Sequence, residues 1–562
     1  MSADHDPRRL HGRALLRSLA LTGALTASVL GTVALPGVAA ADAGTTIAGE
    51  LVHAVAEVEP GSHGHAGEGP DEDGRISWVV TADGEIPVDG EDLADVPTGS
   101  IVELTVGPLE RVEDNESAHP VLDSDVISKD TTPPPPAPAP VAGLTNQVTV
   151  VQVAPAGTSP DGTSLSDVVA TVNGPVAGFW AEQTAGAVRL GVAESRDWVR
   201  TTADCSTPEA LWDEAAAAVG FQAGPGKHLL VRLTAETAAR PGCSYALAQV
   251  GGGINSGGRL YVRENLPAVI AHELGHNFGL GHSSSVQCDG AVEGQSCRTA
   301  GYRDLYDVMG ASWAQLGSLN APQAAALGVL PAAAQTTVSV GQAGSTVTLA
   351  PLGGTAGVRA LRLVDREGVS YWLEYRAGTG RDGWLGTREN VYGLDAGVLL
   401  RRDGAFPDTS LLLDGTPGPA ARWDADLQTS VPVGSPVSLS GGEFTVTVEG
   451  TTASGAVLRV APAADGTGRA AARPASSGRG AVVPGAEAVV PVEGTTAGEP
   501  AFWAPTVEIP AARAQVALDP VADGSTSLGG LLVPFAVAVV TGGLLLLLQY
   551  LRRGRRRRPL YR

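Results

Sequence analysis

Three of the ten histidines in this chain fall within eleven consecutive residues, in the stretch VIAHELGHNFGLGHSSS. On a helix, His272 and His276 lie on one face and can bind one metal ion together. Glu273 points about 100° away, where it can reach a metal-bound water without binding the metal. Gly279 allows a left-handed turn at the helix end, and this turn can return His282 as a third ligand. The pattern predicts an open tetrahedral zinc site of three imidazoles and one water, whose pKa zinc lowers to about 7.

Methionine is even scarcer than histidine. The chain has two methionines, the initiator and Met309, and Met309 follows the third histidine in the stretch YDVMGAS. The residues HELGHNFGLGH match HExxHxxGxxH, the signature of the metzincin metalloproteases. Residues 147–331 therefore resemble a metzincin catalytic domain, and YDVMG with HELGHNFGLGH looks most like the gametolysin-like secreted peptidases. No tyrosine comes directly after Met309 as a fifth metal ligand, and the preceding Tyr302 and Tyr306 receive no role.

The resemblance implies a fold, a cofactor and a set of roles. Metzincins have a twisted sheet over an active-site helix and a methionine turn beneath the zinc ion. The turn residue is then Met309, and Glu273 is the general base. The strand GGRLYVREN is the expected edge at which a bound peptide adds to the sheet. The zinc ligands implied for this chain are His272, His276 and His282.

Both ends of the chain carry targeting signals. Four arginines, an apolar stretch and the small residues at 39–41 predict a signal peptide over residues 1–41. Residues 528–551 are almost entirely apolar and, at 1.5 Å per residue, span about 36 Å as a helix, enough to cross a bilayer. Arginines dominate residues 552–562, which predicts that this tail is cytoplasmic. The sequence therefore predicts a single-pass protein of the cell surface, exported by its signal peptide, with the intervening residues outside the cell.

The predicted extracellular part is strongly acidic and contains every cysteine. Its 27 basic and 58 acidic residues give a net charge of about −31, which disfavours binding to nucleic acid. Four cysteines in an exported chain indicate disulfides, and the absence of a CxxC pair argues against zinc binding by cysteine. Three pairings are possible. We favour Cys205 with Cys243 and Cys288 with Cys297, the second closing a short loop after the histidines.

Composition divides the extracellular part into several regions. Alternating β-branched residues predict a small N-terminal β domain, and alternating strand and helix patterns predict an α/β (α+β) catalytic domain. Short strands separated by Gly, Pro and Asp predict a C-terminal β-sandwich. The predicted order is an N-terminal β domain at 42–130, a Pro-rich linker at 131–146, the metzincin-like domain at 147–331, the β-sandwich at 332–462, and a disordered stalk at 463–527.

The function predicted from these features is that of a surface-tethered zinc metalloendopeptidase. It would hydrolyse extracellular proteins or peptides with water activated by zinc and with Glu273 as the base. One alternative is a surface adhesin or binding module with a structural zinc site, and another is a zinc hydrolase of non-protein substrates. Residues 42–130 are either a pro-domain or a permanent module. Because they lack cysteine, they cannot silence zinc through a thiolate.

Overall fold

The structure, a computed structural model, describes residues 44–57, 74–82, 84–113, 116–128, 143–312 and 315–464. The predicted signal peptide, the membrane-spanning segment, the cytoplasmic tail and nearly all of the linker and stalk lie outside these residues. Within the described ranges, no helix is both long enough and apolar enough to cross a membrane.

The N-terminal region consists of strands, as its β-branched residues favour. Its longest strand is β1, whose last seven residues are nearly all buried. The strands of this region are β1 (Thr45–Glu57), β2 (Arg75–Thr81), β3 (Gly84–Val88), β4 (Ile101–Val106), β5 (Glu110–Glu113), β6 (Glu116–Ala118) and β7 (Val121–Ser128).

Strands and helices alternate in the next region. Helices α1 and α2 are joined by a π-helical turn at Val172–Val176. The elements are β8 (Asn146–Pro155), α1 (Leu165–Thr171), α2 (Ala177–Gln183), β9 (Leu190–Thr201), α3 (Pro208–Val219), β10 (Lys227–Leu233), β11 (Ala246–Gln249), β12 (Gly258–Val262), α4 (Pro267–Asn277), β13 (Ser283–Cys288), β14 (Cys297–Ala300) and α5 (Ala321–Ala326).

The C-terminal region returns to short strands, separated by loops rich in Gly, Pro and Asp. These are β15 (Gln335–Ser339), β16 (Ser345–Leu349), β17 (Ala360–Val364), β18 (Ser370–Arg376), β19 (Gly397–Asp403), β20 (Ser410–Leu413), β21 (Pro436–Leu439), β22 (Phe444–Thr452) and β23 (Gly455–Pro462).

One large sheet joins the N-terminal strands to the region that carries the histidines. Its order is β3-β2-β1-β11-β12-β10-β8-β9, and β4 and β7 extend it beside β1. Strands β9, β8, β10 and β12 are parallel, whereas β11 is antiparallel to both β12 and β1. The strand GGRLYVREN, predicted as an edge, is β12 and lies between β10 and β11. That prediction was wrong because the short strand β11 lies outside it.

The C-terminal strands form two further sheets. The first has the order β14-β13-β20-β19-β18-β17-β15, and the second β16-β23-β22-β21. Buried side chains from both sheets form one hydrophobic core. Strand β13, which directly follows the third histidine, pairs in parallel with β20. The part of the chain that the structure describes is therefore a mixed α/β structure with several sheets and few helices.

Two disulfides join the four cysteines in the pairs that the sequence favours. Cys205 bonds to Cys243 beside α3, and Cys288 bonds to Cys297 across the antiparallel pair β13 and β14. The second disulfide closes the short hairpin that follows the histidines. It is therefore attached to the same strand, β13, that continues from the third histidine.

Candidate metal centre

Helix α4 carries His272, Glu273 and His276 in a completely buried setting. It begins with Pro267, whose fixed φ and missing N–H suit the first turn of a helix. Beyond the helix end, Gly279 has a φ of +91°, and a Cβ there would lie 2.6 Å from the carbonyl oxygen of Gly251. Only glycine fits this turn, which reverses the chain as the sequence indicates.

His282 follows the turn and is held by the loop between β19 and β20. Its amide donates a hydrogen bond to the carbonyl oxygen of Pro407 at 2.6 Å, and its own carbonyl accepts one from Ser410 at 3.2 Å. A Cβ on Gly281 would lie 2.1 Å from the same Pro407 oxygen. The backbone of the third histidine is thus positioned by a distant part of the chain.

The imidazoles of the two helical histidines are oriented by backbone carbonyls. Nδ1 of His272 donates to the carbonyl oxygen of Val308 at 2.7 Å, and Nδ1 of His276 donates to that of Leu280 at 2.8 Å. Burial lowers the pKa of His276, and it lowers the pKa of His282 to about 4. With the proton on Nδ1, a neutral ring presents a lone pair at Nε2, the state in which histidine binds a metal.

A fourth residue, Glu57, lies among the three histidines. Its Oε1 lies 3.1 Å from Nε2 of His272 and 3.2 Å from Nε2 of both His276 and His282. These four residues are buried, and their ligand atoms all lie within 4.8 Å of one another. Glu57 is the last residue of β1 and was absent from the sequence prediction.

The donor set fits a tetrahedral metal ion. Nε2 of His272 and Nε2 of His276 are 3.1 Å apart, so two lone pairs face each other and both face a carboxylate. Such an arrangement is repulsive without a cation between the groups. Tetrahedral zinc with bonds of 2.0–2.1 Å to nitrogen separates its ligands by about 3.3 Å, close to the distances here. The residues present therefore suit zinc, which they would hold through three nitrogens and one oxygen.

Glu273, the predicted base, is buried beside this cluster. Neither of its carboxylate oxygens has a hydrogen-bond partner among the described residues. Burial, together with the charge of Glu57, raises its pKa well above the ordinary value. A buried carboxyl group without partners is costly in a fold, so its presence here indicates a functional requirement.

Met309 lies directly beneath the helix. A Cβ on Gly275, between Glu273 and His276, would lie 2.3 Å from the sulfur of Met309. The carbonyl oxygen of Met309 accepts a hydrogen bond from the amide of Ser283 at 2.8 Å. The methionine therefore contacts both the helix and the segment that carries the third histidine.

Tyr302, to which the sequence assigned no role, also borders the cluster. Its ring centroid lies 3.8 Å from that of His282. Its hydroxyl donates a hydrogen bond of 3.2 Å to the carbonyl oxygen of Ala56, the residue before Glu57. Tyr302 therefore contacts both a histidine of the cluster and the strand that brings in Glu57.

A buried network of charges supports the cluster from the C-terminal side. Arg401 of β19 contacts Asp304, and its Nε donates to Oε1 of Glu374 at 3.0 Å. The guanidinium of Arg376 lies 2.9 Å from the same oxygen of Glu374. Ser283, next to the third histidine, donates to Asp304 at 2.7 Å. Charges on β18 and β19 thereby fix the segment around His282 and Met309.

The structure brings together most of the residues that the sequence singled out. His272, His276 and His282 form one cluster, with Glu273 beside it and Met309 beneath it. Glu57 and Tyr302 are the additions. A buried set of three imidazoles beside a helical glutamate with no partner among the described residues could bind a metal ion, as the sites of zinc hydrolases do.

Comparison with known families agrees with this class. Residues 238–314 match the family described as "Metallo-peptidase family M12B Reprolysin-like". The matched segment contains the three histidines, Glu273 and Met309, and it supports a metalloprotease family and a protease activity for this part of the chain.

Other comparisons add little. None of the curated proteins matches the chain. A solved structure titled "Structure of a chaperone-substrate complex" matches with 13% sequence identity and a TM-score of 0.20. That match covers 44% of this chain and 32% of the other, so this chain spans about a third of its length. A likeness of this extent carries no argument about fold or function.

Proposed function

We propose that this protein is a zinc-dependent endopeptidase with a metzincin-like catalytic domain, similar to the gametolysin-like secreted peptidases. The observation that carries the proposal is the buried cluster of His272, His276 and His282 beside Glu273, within a segment that matches a metallopeptidase family. The substrates we propose are extracellular proteins or peptides. The predicted signal peptide, apolar C-terminal segment and arginine-rich tail support attachment to the cell surface with the peptidase outside.

The residues of the cluster suit peptide hydrolysis. The three histidines would hold a zinc ion, which when bound would polarise the scissile carbonyl and lower the pKa of a water molecule to about 7. Glu273 accepts a proton from the attacking water and donates it to the departing amine. The carbonyls of Val308 and Leu280 keep the rings of His272 and His276 in one orientation and one tautomer.

One observation favours a second function, that of a binding protein with a structural zinc site. Structural zinc sites are closed by four protein ligands, whereas catalytic sites keep one position open, and Glu57 closes this one. Glu273 argues for the enzyme, because a structural site has no use for a buried carboxyl group without partners. If the protein is an enzyme, replacing Glu273 should reduce catalysis. If it is a binding protein, the replacement should affect only the stability of the fold.

Replacing Glu273 by glutamine tests the proposal. Because Glu57 lies where water would bind, peptide hydrolysis is measured on a mixed peptide library in both the natural sequence and Glu57→Ala. The Glu273→Gln variant should retain zinc and lose hydrolysis by about 10²- to 10⁴-fold, the usual contribution of a general base. The exposed Glu264, changed to glutamine, is the matched control and should leave the rate unchanged.

The outcomes separate the two functions. A chelator should abolish hydrolysis in every active form. Hydrolysis by Glu273→Gln at the parent rate, with zinc bound, would show that Glu273 is not the base. If no form cleaves any peptide although zinc is bound, the structural site of a binding protein becomes the better account.

A further inference from the structure

Strand β1 lies on β11 where a peptide substrate would add to the sheet. Within the region that carries the histidines, β11 has one sheet neighbour, β12, so its other side is an edge. Ala54–Glu57 of β1 pair antiparallel with Ala246–Gln249 along that side. The carbonyl of Glu57 accepts a hydrogen bond from the amide of Tyr245 at 2.8 Å. Peptides bind to exposed edges by this same strand addition.

The pairing directs one side chain of β1 onto the metal centre. Glu57 is 215 residues from His272 in sequence, yet its Oε1 lies 3.1 Å from the histidine Nε2. The residue is 1% exposed, and its Oε2 has no hydrogen-bond partner among the described residues. The hydroxyl of Tyr302 donates a hydrogen bond to the carbonyl oxygen of Ala56, which fixes the backbone directly before Glu57.

A metal ion bound by the carboxylate of Glu57 gives the burial of this residue a physical reason. Removing a carboxylate from water costs several kcal/mol unless an opposite charge or several donors replace the water. Its neighbours are three imidazoles, and with their protons on Nδ1 those of His272 and His276 present lone pairs toward it. A divalent cation bound by all four groups removes this conflict, since carboxylate oxygen is an accepted zinc ligand.

We infer that β1 is an internal occupant of the substrate cleft and that Glu57 is a fourth metal ligand, so that the protein with its N-terminal strands in place is a latent peptidase. This inference rests on the proposed function. The occupied edge excludes a peptide from β11, and the carboxylate excludes water from the metal. The N-terminal strands, which lack cysteine, thereby silence the site through an oxygen ligand.

The arrangement of β1 suggests how the site opens. The strand is anchored by its first part, since Thr45–Glu50 pair with β4 and Glu50–Val55 pair with β2. Its pairing with β11 uses Ala54–Glu57, and the carbonyl of His53 accepts one more hydrogen bond from the amide of Val250 at 2.9 Å. Opening of the cleft therefore breaks the short pairing between β1 and β11 and separates Val52 and Ala54 from the hydrophobic core that they share with Leu247, whereas the pairs with β2 and β4 can stay intact.

The test uses the full chain loaded with Co²⁺, whose visible absorption reports the ligands of the metal. Three variants are compared with the natural protein: Glu57→Ala, the isosteric Glu57→Gln, and Glu50→Gln as a matched control. Glu50 lies on the same strand but is exposed. The measurements are the absorption spectrum, the Kd of acetohydroxamate as a small metal-binding probe, and peptide hydrolysis.

Loss of the carboxylate should change the spectrum and tighten acetohydroxamate binding. If the natural site is open no more than a tenth of the time, Glu57→Ala should lower the apparent Kd about tenfold or more and raise hydrolysis by a similar factor. Glu57→Gln should change the spectrum in the same direction, and it decides the question if Glu57→Ala does not fold. Glu50→Gln should behave as the natural protein.

The three measurements distinguish a failure of this inference from a failure of the proposed function. If Co²⁺ binds but neither Glu57 variant alters the spectrum or the acetohydroxamate Kd, Glu57 is not a ligand and the inference is overturned, whatever the peptidase activity. If both measurements change but no form hydrolyses peptides, Glu57 is a ligand and the proposed function is refuted. If no form binds Co²⁺, both are overturned.

Discussion

Replacing Arg401 by methionine should destabilise the protein and weaken zinc binding at the candidate metal centre, although none of the four candidate ligands is changed. The guanidinium is completely buried and contacts Asp304, Glu374 and Ser283. Methionine fills a similar volume but leaves both carboxylates without this partner. Breaking a buried ion pair from one side destabilises a protein by about 3–5 kcal/mol, because the remaining charge is uncompensated. That is a large share of the 5–15 kcal/mol by which a typical domain is stable.

The charges around Arg401 explain why its loss should destabilise the protein this strongly. Arg376 and Arg401 together face Glu374, Asp304 and Asp382, so the network is already short of positive charge. Burial, together with the nearby Asp304, raises the pKa of the adjacent Asp307 to about 7. Loss of Arg401 leaves one arginine beside three acidic side chains. Asp304 also accepts from Ser283, so the disturbance reaches the segment beside the third histidine.

The assay is urea unfolding followed by tryptophan fluorescence, together with the zinc content of the folded protein. Arg459→Met is the matched control, since Arg459 forms an exposed ion pair with Glu449 and should change stability by less than about 0.5 kcal/mol. Adding Asp304→Asn to Arg401→Met should recover part of the loss, because it removes an unpaired charge. A destabilisation below about 1 kcal/mol for Arg401→Met would refute the assignment of this network as a support of the site.

Two further predictions concern single positions. Gly281→Ala places a Cβ 2.1 Å from the carbonyl oxygen of Pro407. This variant should therefore destabilise the fold by about 1–3 kcal/mol and weaken zinc binding. Gly301→Ala is the control, because a Cβ at that position has no heavy atom within 4 Å and should change neither property. Zinc titration of both variants checks this, and equal affinity would contradict it. Burial lowers the pKa of His228 from 6.5 to about 4, so the unfolded chain takes up the proton first and stability falls as pH drops from 6.5 toward 4. Between pH 7 and 4.5, the free energy of unfolding of His228→Gln should therefore fall by about 2 kcal/mol less than that of the natural protein. Urea unfolding at the two pH values measures this difference. An identical fall for both proteins would show that His228 is not responsible.

The local part of the site could be predicted from the sequence because helical geometry relates its residues. Four-residue spacing brings His272 and His276 to one face, and Gly279 has the positive φ that its position indicates. The disulfide between Cys288 and Cys297 could also be favoured, since it closes a short hairpin. Each of these predictions depends on residues that are close together in the chain.

Glu57 could not be predicted because nothing near it in sequence points to a metal. It ends a largely buried strand, and its role depends on pairing with β11 almost 200 residues later. Strand β11 itself gives a weak signal, since ALAQ contains no β-branched residue and is only four residues long. The family resemblance implies an edge strand for a bound peptide, and GGRLYVREN matches it only because the weaker strand β11 gives no clear signal.

The burial of Arg376 and Arg401 could not be predicted from the sequence for a different reason. In sequence, arginines at the ends of strands read as solvated charges, because arginine is rarely buried without partners. Here the partners come from separate elements, Glu374 on β18 and Asp304 in the segment after β14. Strand patterns indicate which residues are extended, but they do not show which strands lie side by side.

The separation in sequence between Glu57, the helical histidines and the loop at Pro407 has a consequence for synthesis. A ribosome adds about 5–20 residues each second, so roughly 350 residues between Glu57 and Pro407 take on the order of 20–70 s. During that interval the first strand already exists, while the backbone that holds His282 does not. The part that covers the cleft is therefore made before the cleft itself. On the inference that β1 occupies the cleft, a growing chain contains its covering strand before it contains a complete site.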